Sequence, residues 1–248
     1  YRIYGELLNT YGYQIEHDAK QLTCTNYYTN EEVTIPLDPQ LSGTENAKKY
    51  FDRYGKLKRT YEAVSVQIED TKEEIEHLES ILTSLDIAQK KEDLVELKEE
   101  LTQYGYIRRK FQKKMGPGKM SKKNYTAEKK EKVTSKPFHY LSSDGFHIYV
   151  GKNNFQNEYL TFKVAQGNDW WFHAKKIPGS HVIVKSGGQE LPDRTFEEAA
   201  SLAAYYSQAK NMQKVEIDYI ERKHVKKTAG GKPGFVIYHT NYSMIATP

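Results

Sequence analysis

The chain has one cysteine, Cys24, among 248 residues. A lone thiol cannot close an internal disulfide, so the fold must rest on its core, and the chain suits a reducing compartment. No stretch approaches the ~20 apolar residues that a membrane span needs. No Walker loop and no dinucleotide fingerprint is present. Six of the eight histidines follow residue 137 (His139, His147, His173, His181, His224 and His239), but no pair has i, i+4 helical spacing and none has a cysteine beside it. Neither a metal site nor a cofactor is expected. Cys24 has no adjacent histidine, and Ser180–His181 lies outside a GxSxG setting, so no catalytic residue and no enzyme activity are expected. Position 1 is not Met and the chain opens inside an apparent helix, so it reads as a piece of a longer protein; no signal peptide is visible.

Charge is unevenly spread. Net charge is +4. Residues 1–107 hold 12 Lys/Arg against 21 Asp/Glu, residues 108–136 hold 12 against 2, and residues 137–248 hold 13 against 10. An acidic front and a basic middle call for different partners. Apolar content of 38% beside 28% charged residues fits a compact domain joined to an extended, solvated element.

Residues 1–42 read as a helix end, stopped near Gly12, and a β-hairpin. The hairpin turn is Thr29–Glu32, with Asn30 able to take a positive φ, and Pro36 and Pro39 end the unit. Residues 43–109 carry the strongest periodicity. Ala47, Tyr50, Tyr54, Leu57, Tyr61, Val64, Ile68, Thr71, Ile75, Leu78, Leu82 and Leu85 step by 3 and 4, and only Thr71 breaks the apolar seam. Ser42 or Thr44 can cap this helix. At ~43 residues it would be roughly 65 Å long. A shorter seam (Ile87, Leu94, Leu97, Leu101, Tyr104) follows a turn near 86–91 and predicts an antiparallel coiled-coil hairpin. The second arm covers only part of the first. The aromatic seam at Tyr50, Tyr54 and Tyr61 therefore needs another partner: residues 1–11, the β-hairpin, upstream chain, or a second copy in a self-associating arm.

Residues 110–136 are Lys-rich around Gly116–Gly118 and read as a linker. From 137 to 248 the pattern changes to short strands with one amphipathic helix, Thr195–Lys210, where Thr195 and Glu198 offer a capping box. The fold class is α+β: a coiled-coil helical hairpin on a small β-hairpin base, then a compact domain with a mostly antiparallel sheet and one main helix.

Three patches carry candidate chemistry. Arg222, Lys223, Lys226 and Lys227, with Lys232 in the Gly-rich turn Gly230–Gly234, can neutralise phosphates while glycine lets a backbone approach. The competing reading is an edge strand guarded by lysines. In a strand, Arg222, His224 and Lys226 would share a face. In "DWWFHAKKIPGSH" (Asp169–His181), Trp170, Trp171 and His173 could stack unpaired bases, with one strand face in the core and the other partly exposed. Lys175 and Lys176 on the following turn are the better phosphate candidates. In "GKNNFQN" (Gly151–Asn157), Lys152, Asn153 and Asn154 precede a short helix and could present donors to an anion; a structural turn with side-chain caps is the alternative.

"DGFHIYVGKNNFQNEYLT" (Asp144–Thr161), "DWWFHAKKIPGSHV" (Asp169–Val182), "VEIDYIERKHVKK" (Val215–Lys227) and "GGKPGFVIYHT" (Gly230–Thr240), in that order, resemble the RNA-binding module of the fibronectin-binding protein A / NFACT family. "GELLNTYGY" (Gly5–Tyr13) and "IPLDPQLSGTENAKKYFDRYGKLKR" (Ile35–Arg59) resemble the family's entry to its coiled coil, which extends the likeness to nearly the whole chain. The resemblance implies a ribosome-associated quality control role in the cytoplasm. Such a protein binds stalled large ribosomal subunits and tRNA and supports alanine tailing of the nascent chain. The family naming implies an alternative, a fibronectin-binding adhesin at the surface of a Gram-positive bacterium.

Overall fold

The computed structural model describes residues 1–108 and 135–248. The Lys-rich segment at 110–136 lies outside the described residues, apart from Ser135 and Lys136. The class is α+β, as the sequence indicates. Two compact units form, Tyr1–Glu73 and Glu74–Pro248. Among the described residues no helix is long and apolar enough to cross a membrane.

The first unit contains helix α1 (Arg2–Tyr11), strands β1 (Gln21–Asn26) and β2 (Glu31–Pro36), and the start of helix α2 (Gly43–Ile87). The hairpin forms with Asn30 at φ 57°, but its turn is Tyr27–Asn30, two residues before the expected Thr29–Glu32, so Glu31 and Glu32 already pair in β2. Ser42 caps α2: its hydroxyl accepts from Glu45 N, and Glu45 Oε2 accepts from Ser42 N at 2.8 Å. Leu7, Leu8, Leu22, Cys24, Ile35 and Ala47 make the core. Both proposed local partners cover Tyr50. Its ring meets Tyr1 and Tyr4, and its hydroxyl donates to Pro36 O at 2.6 Å. Tyr61 stays 75% exposed.

The second unit begins inside α2, so the far end of the expected arm folds with the sheet domain. Helix α3 (Lys91–Gln103) turns back as predicted, but the heptad seam is not the contact face. Leu78, Leu82 and Leu85 are exposed, whereas His77, Ile81, Thr83 and Ser84 are buried. Apolar periodicity marks a stripe that can be buried. Here the polar side of α2 has partners that satisfy it, which decides what is.

Strands β3 (Phe138–Leu141), β4 (His147–Val150), β5 (Trp170–Ala174), β6 (Val182–Lys185), β7 (Val215–Glu221) and β10 (Tyr242–Ala246) form one antiparallel sheet in the order β10-β7-β5-β6-β4-β3. β8 (Lys226–Lys227) and β9 (Val236–Ile237) make a separate two-residue ladder. Helix α4 (Asn154–Tyr159) runs into a π-helical turn at Leu160–Val164. Helix α5 (Asp193–Tyr205) packs its alanines (Ala199, Ala200, Ala203, Ala204) on one sheet face, against Val150, Phe172, Val182, Val184 and Ile217. The other face is covered too: Leu160, Trp171, Ile183, Ile220 and Val225 form a smaller core. This explains the apolar run Val182–Val184 in β6, whose three residues are buried whichever way they point.

The capping box expected at Thr195 is corrected. α5 starts two residues earlier, and buried Thr195 donates to Asp144 Oδ2 at 2.7 Å. Glu198 instead accepts from Ser143 N at 2.9 Å, so both residues tie the β3–β4 turn to the helix. β10 was not foreseen, because exposed and apolar residues do not alternate cleanly along it.

Candidate nucleic-acid interface

The loop Gly151–Asn157 is built into the unit's interior. Lys152 is 7% exposed, and its ammonium lies 3.2 Å from Asp93 Oδ1 on α3 and 4.6 Å over the Phe138 ring. Asn153 donates to Glu96 Oε2 at 2.6 Å, and its own oxygen accepts from Gln156 N, capping α4. Asn154 donates to Ser80 Oγ and to Glu100 Oε1, and Glu100 also meets His77 Nε2 at 2.9 Å. Gly151 has no room for a Cβ, which would fall 2.2 Å from Asn157 Oδ1. The expectation that Lys152, Asn153 and Asn154 bind RNA is therefore corrected. Their donors are engaged inside the protein, by Asp93, Glu96 and Glu100 of α3 and by Ser80 and Ser135. The sign in the sequence was the spacing of Asp93, Glu96 and Glu100, three acids on one helical face beside Leu97.

Asp93 organises this contact. It accepts from Gln89 N and Lys90 N at 3.0 and 2.9 Å, from Lys152 Nζ and from Ser135 Oγ. Burial raises its pKa, but the hydrogen bonds from Ser135, the two amides and Lys152 outweigh that and hold it below the usual carboxylate value.

The aromatic triplet divides across the sheet. Trp171 has no exposed surface and sits in the smaller core, so the proposal that it stacks bases is corrected: its ring offers no free face. Trp170 is half-buried, edge-on to Phe196 at 4.8 Å and tilted against Tyr219. His173 is half-buried, parallel to Trp171 at 5.6 Å and edge-on to His181 at 5.4 Å. Both faces of β5 pack against core, with Trp170 and His173 half-buried on opposite sides, where one core face and one partly exposed face were expected.

Burial pulls the His173 pKa down. Burial, then the neighbouring His173, pulls that of His181 well below its usual value. Both shifts favour the neutral imidazole in the fold. The unfolded chain takes up protons near pH 6.5, so their contribution is complete above that pH and is lost as pH falls below it. The urea midpoint should drop between about pH 7.5 and 5.5. A flat midpoint would contradict neutral buried rings.

The basic segment keeps its exposure, but only Lys226–Lys227 lie in a strand. β7 ends at Glu221, and Arg222–His224 form a 3₁₀ turn, because Arg222 N and Lys223 N bond to Asp169 O and Gly167 O. The shared face expected for Arg222, His224 and Lys226 does not form. Arg222 is structural in part: its Nε donates to Thr161 O at 2.7 Å, and its guanidinium lies 5.1 Å over Phe162. Lys223, Lys226 and Lys227 are exposed, flanking the buried anchor Val225. Lys223 pairs with Glu221, and Lys227 with Glu158 at 2.8 Å. Lys175 bonds Glu216 at 2.5 Å, the main cause of its raised pKa. Lys176 is exposed at φ 54°. Lys232 donates to Tyr106 at 3.3 Å. Ion pairs this exposed are worth little, so a phosphate can exchange for the carboxylate. Among the described residues, no group of three or more His, Cys, Asp or Glu could hold a metal ion.

The comparisons agree with this architecture. Residues 1–120 match the family model of NFACT N-terminal and middle domains, and residues 136–239 match that of the NFACT protein RNA binding domain. The Rqc2 homolog RqcH of Streptococcus pneumoniae is 43% identical over the whole chain, and that of Bacillus subtilis is 41% identical over the whole chain. The chain spans 42% and 41% of these two relatives, about two-fifths of their length. The C-terminal structure of the fibronectin/fibrinogen-binding protein from Streptococcus suis is 41% identical. It aligns with a TM-score of 0.69 over 84% of this chain and 77% of that one. The ordered motifs, the two domain matches and this structural likeness together make the chain a member of the NFACT family.

Proposed function

We propose that this chain is the RNA-binding part of a ribosome quality control factor, working in the cytoplasm on stalled large ribosomal subunits. It holds tRNA or rRNA through phosphates and acts by binding, not by catalysis. The observation that carries this reading is the exposed lysine group at Lys223, Lys226 and Lys227 within a domain that matches an RNA-binding family. Lys175, Lys176 and Lys232 add phosphate contacts. The same reading extends to support for alanine tailing of the nascent chain.

The test is binding to labelled tRNA and to purified large subunits across a salt series, beside the variant K223E/K226E/K227E. Arg222 is left intact because it bonds Thr161 O. Binding of the unaltered chain should weaken steeply with salt. If three phosphate contacts are lost, the variant should bind on the order of 100-fold more weakly, with a shallower salt slope. An unchanged affinity would remove the lysines from the interface.

The Streptococcus suis protein is named for binding fibronectin and fibrinogen, and that name is the ground for a second reading, binding to fibronectin. The same variant separates the two: retention on immobilised fibronectin should survive the loss of the lysines, whereas RNA binding should not.

A further inference from the structure

A pocket of about 560 Å³ opens within the second unit, bounded by the β5–β6 turn, the Gly234–Tyr238 segment and the exposed side of α2. That volume falls in the ~300–1,000 Å³ range of small-ligand sites. Its walls are flat or apolar groups: His173, Pro178, Phe235 and Tyr238. Trp171 lies beneath them, and its indole N–H meets no acceptor in the protein. Two carboxylates, Glu76 and Glu79, stand on the α2 side, and Lys176 is the cation of the lining.

Each part of this lining limits the ligand. Planar walls suit a ring that can stack, as unpaired bases do on aromatic and imidazole groups. A carboxylate pair repels phosphate but accepts hydrogen bonds from ribose hydroxyls, the role an acidic side chain plays toward the ribose in dinucleotide sites. The phosphate must then leave the pocket, and Lys176 can receive it. Burial favours neutral His173 and His181, which disfavours a second positive charge that would draw a phosphate inside.

We propose that this pocket takes one unpaired ribonucleotide of the bound RNA, with its base against His173, Pro178 and Phe235 and its ribose hydroxyls on Glu76 and Glu79. The inference rests on the RNA-binding reading and gives it a second, base-contacting site apart from Lys223, Lys226 and Lys227.

The experiment is a titration of the whole chain with AMP, 2′-deoxy-AMP and a simple alkylammonium salt, following the Trp171 indole N–H by NMR. E76Q/E79Q is the variant, since both positions are exposed and the change keeps their size. AMP should shift the Trp171 signal in a saturable way and leave that of Trp170 nearly unmoved. The variant should bind AMP about tenfold more weakly, a difference of ~1.4 kcal/mol, and should bind 2′-deoxy-AMP with a smaller loss. Three results would overturn the proposal: no shift with AMP, equal affinity for both nucleotides in both proteins, or a shift with the alkylammonium salt alone. A chain that binds tRNA with no pocket response refutes this site and leaves the RNA-binding reading standing. A chain whose pocket binds AMP but which ignores tRNA refutes the RNA-binding reading, and with it the claim that the ribonucleotide belongs to a bound RNA, and leaves a mononucleotide pocket.

Discussion

Trp171→Ala is expected to lower stability by about 3–5 kcal/mol, the cost of deleting a fully buried aromatic side chain. The ring has no exposed surface and packs in the core with Leu160, Ile183, Ile220 and Val225. That core joins the sheet to the turn carrying Arg222–His224, so its loss should also loosen the basic segment. Trp171→Phe should cost less, since much of the volume is kept and the indole N–H has no partner to lose. The measurement is urea unfolding followed by far-ultraviolet circular dichroism. If the ring were a base-stacking platform, Trp171→Ala would keep the wild-type midpoint and lose affinity for single-stranded RNA. That pattern would sink the core assignment.

Asp93→Ala should be similarly damaging, at about 3–5 kcal/mol, because it strands a buried cation. Lys152 is 7% exposed with its ammonium 3.2 Å from Asp93 Oδ1. The same substitution removes the acceptor for the amides of Gln89 and Lys90 at the start of α3, a cap worth ~1 kcal/mol by itself. A second change gives the mechanism its own test. Adding Lys152→Met replaces the stranded charge with an apolar chain, so the double variant should be more stable than Asp93→Ala alone. Lys152→Met by itself should leave tRNA affinity within about threefold of the unaltered chain, below the ~0.7 kcal/mol that one lost phosphate contact would exceed. A large loss of affinity without a loss of stability would return Lys152 to the RNA interface. Acid should act on the same contact. The folded-state pKa of Asp93 is lowered from 3.8, so its stabilisation is complete above that value and is lost as pH falls through the folded pKa.

Much of the local structure is legible in the residues. Asn30 at a turn, Ser42 with Glu45 three residues on, and the alternation of "FHYLSS" and "FHIYVG" each specify an element through forces that act within a few residues. These are a left-handed backbone, a reciprocal cap and a two-residue period. The class, the hairpin, the returning second helix and the basic character of Lys223, Lys226 and Lys227 follow from such signals.

The tertiary structure decided which faces were covered. Leu78, Leu82 and Leu85 form a heptad seam, yet His77 and Ser84 are buried in their place, because Glu100 Oε1 meets His77 Nε2 and Ser80 O accepts from the Ser84 hydroxyl, replacing water. Lys152 has the chemistry of a phosphate ligand, but Asp93, 59 residues earlier, lies against it. β5 was expected to keep one face partly open, but α5 closes one side of the sheet and the Leu160 turn the other. The sequence by itself determined most of the elements, the α+β class and the family, since those depend on local period, capping and the order of motifs. Which donors stay free for RNA depends on charges brought together from distant parts of the chain, and only the folded arrangement shows where each one is spent.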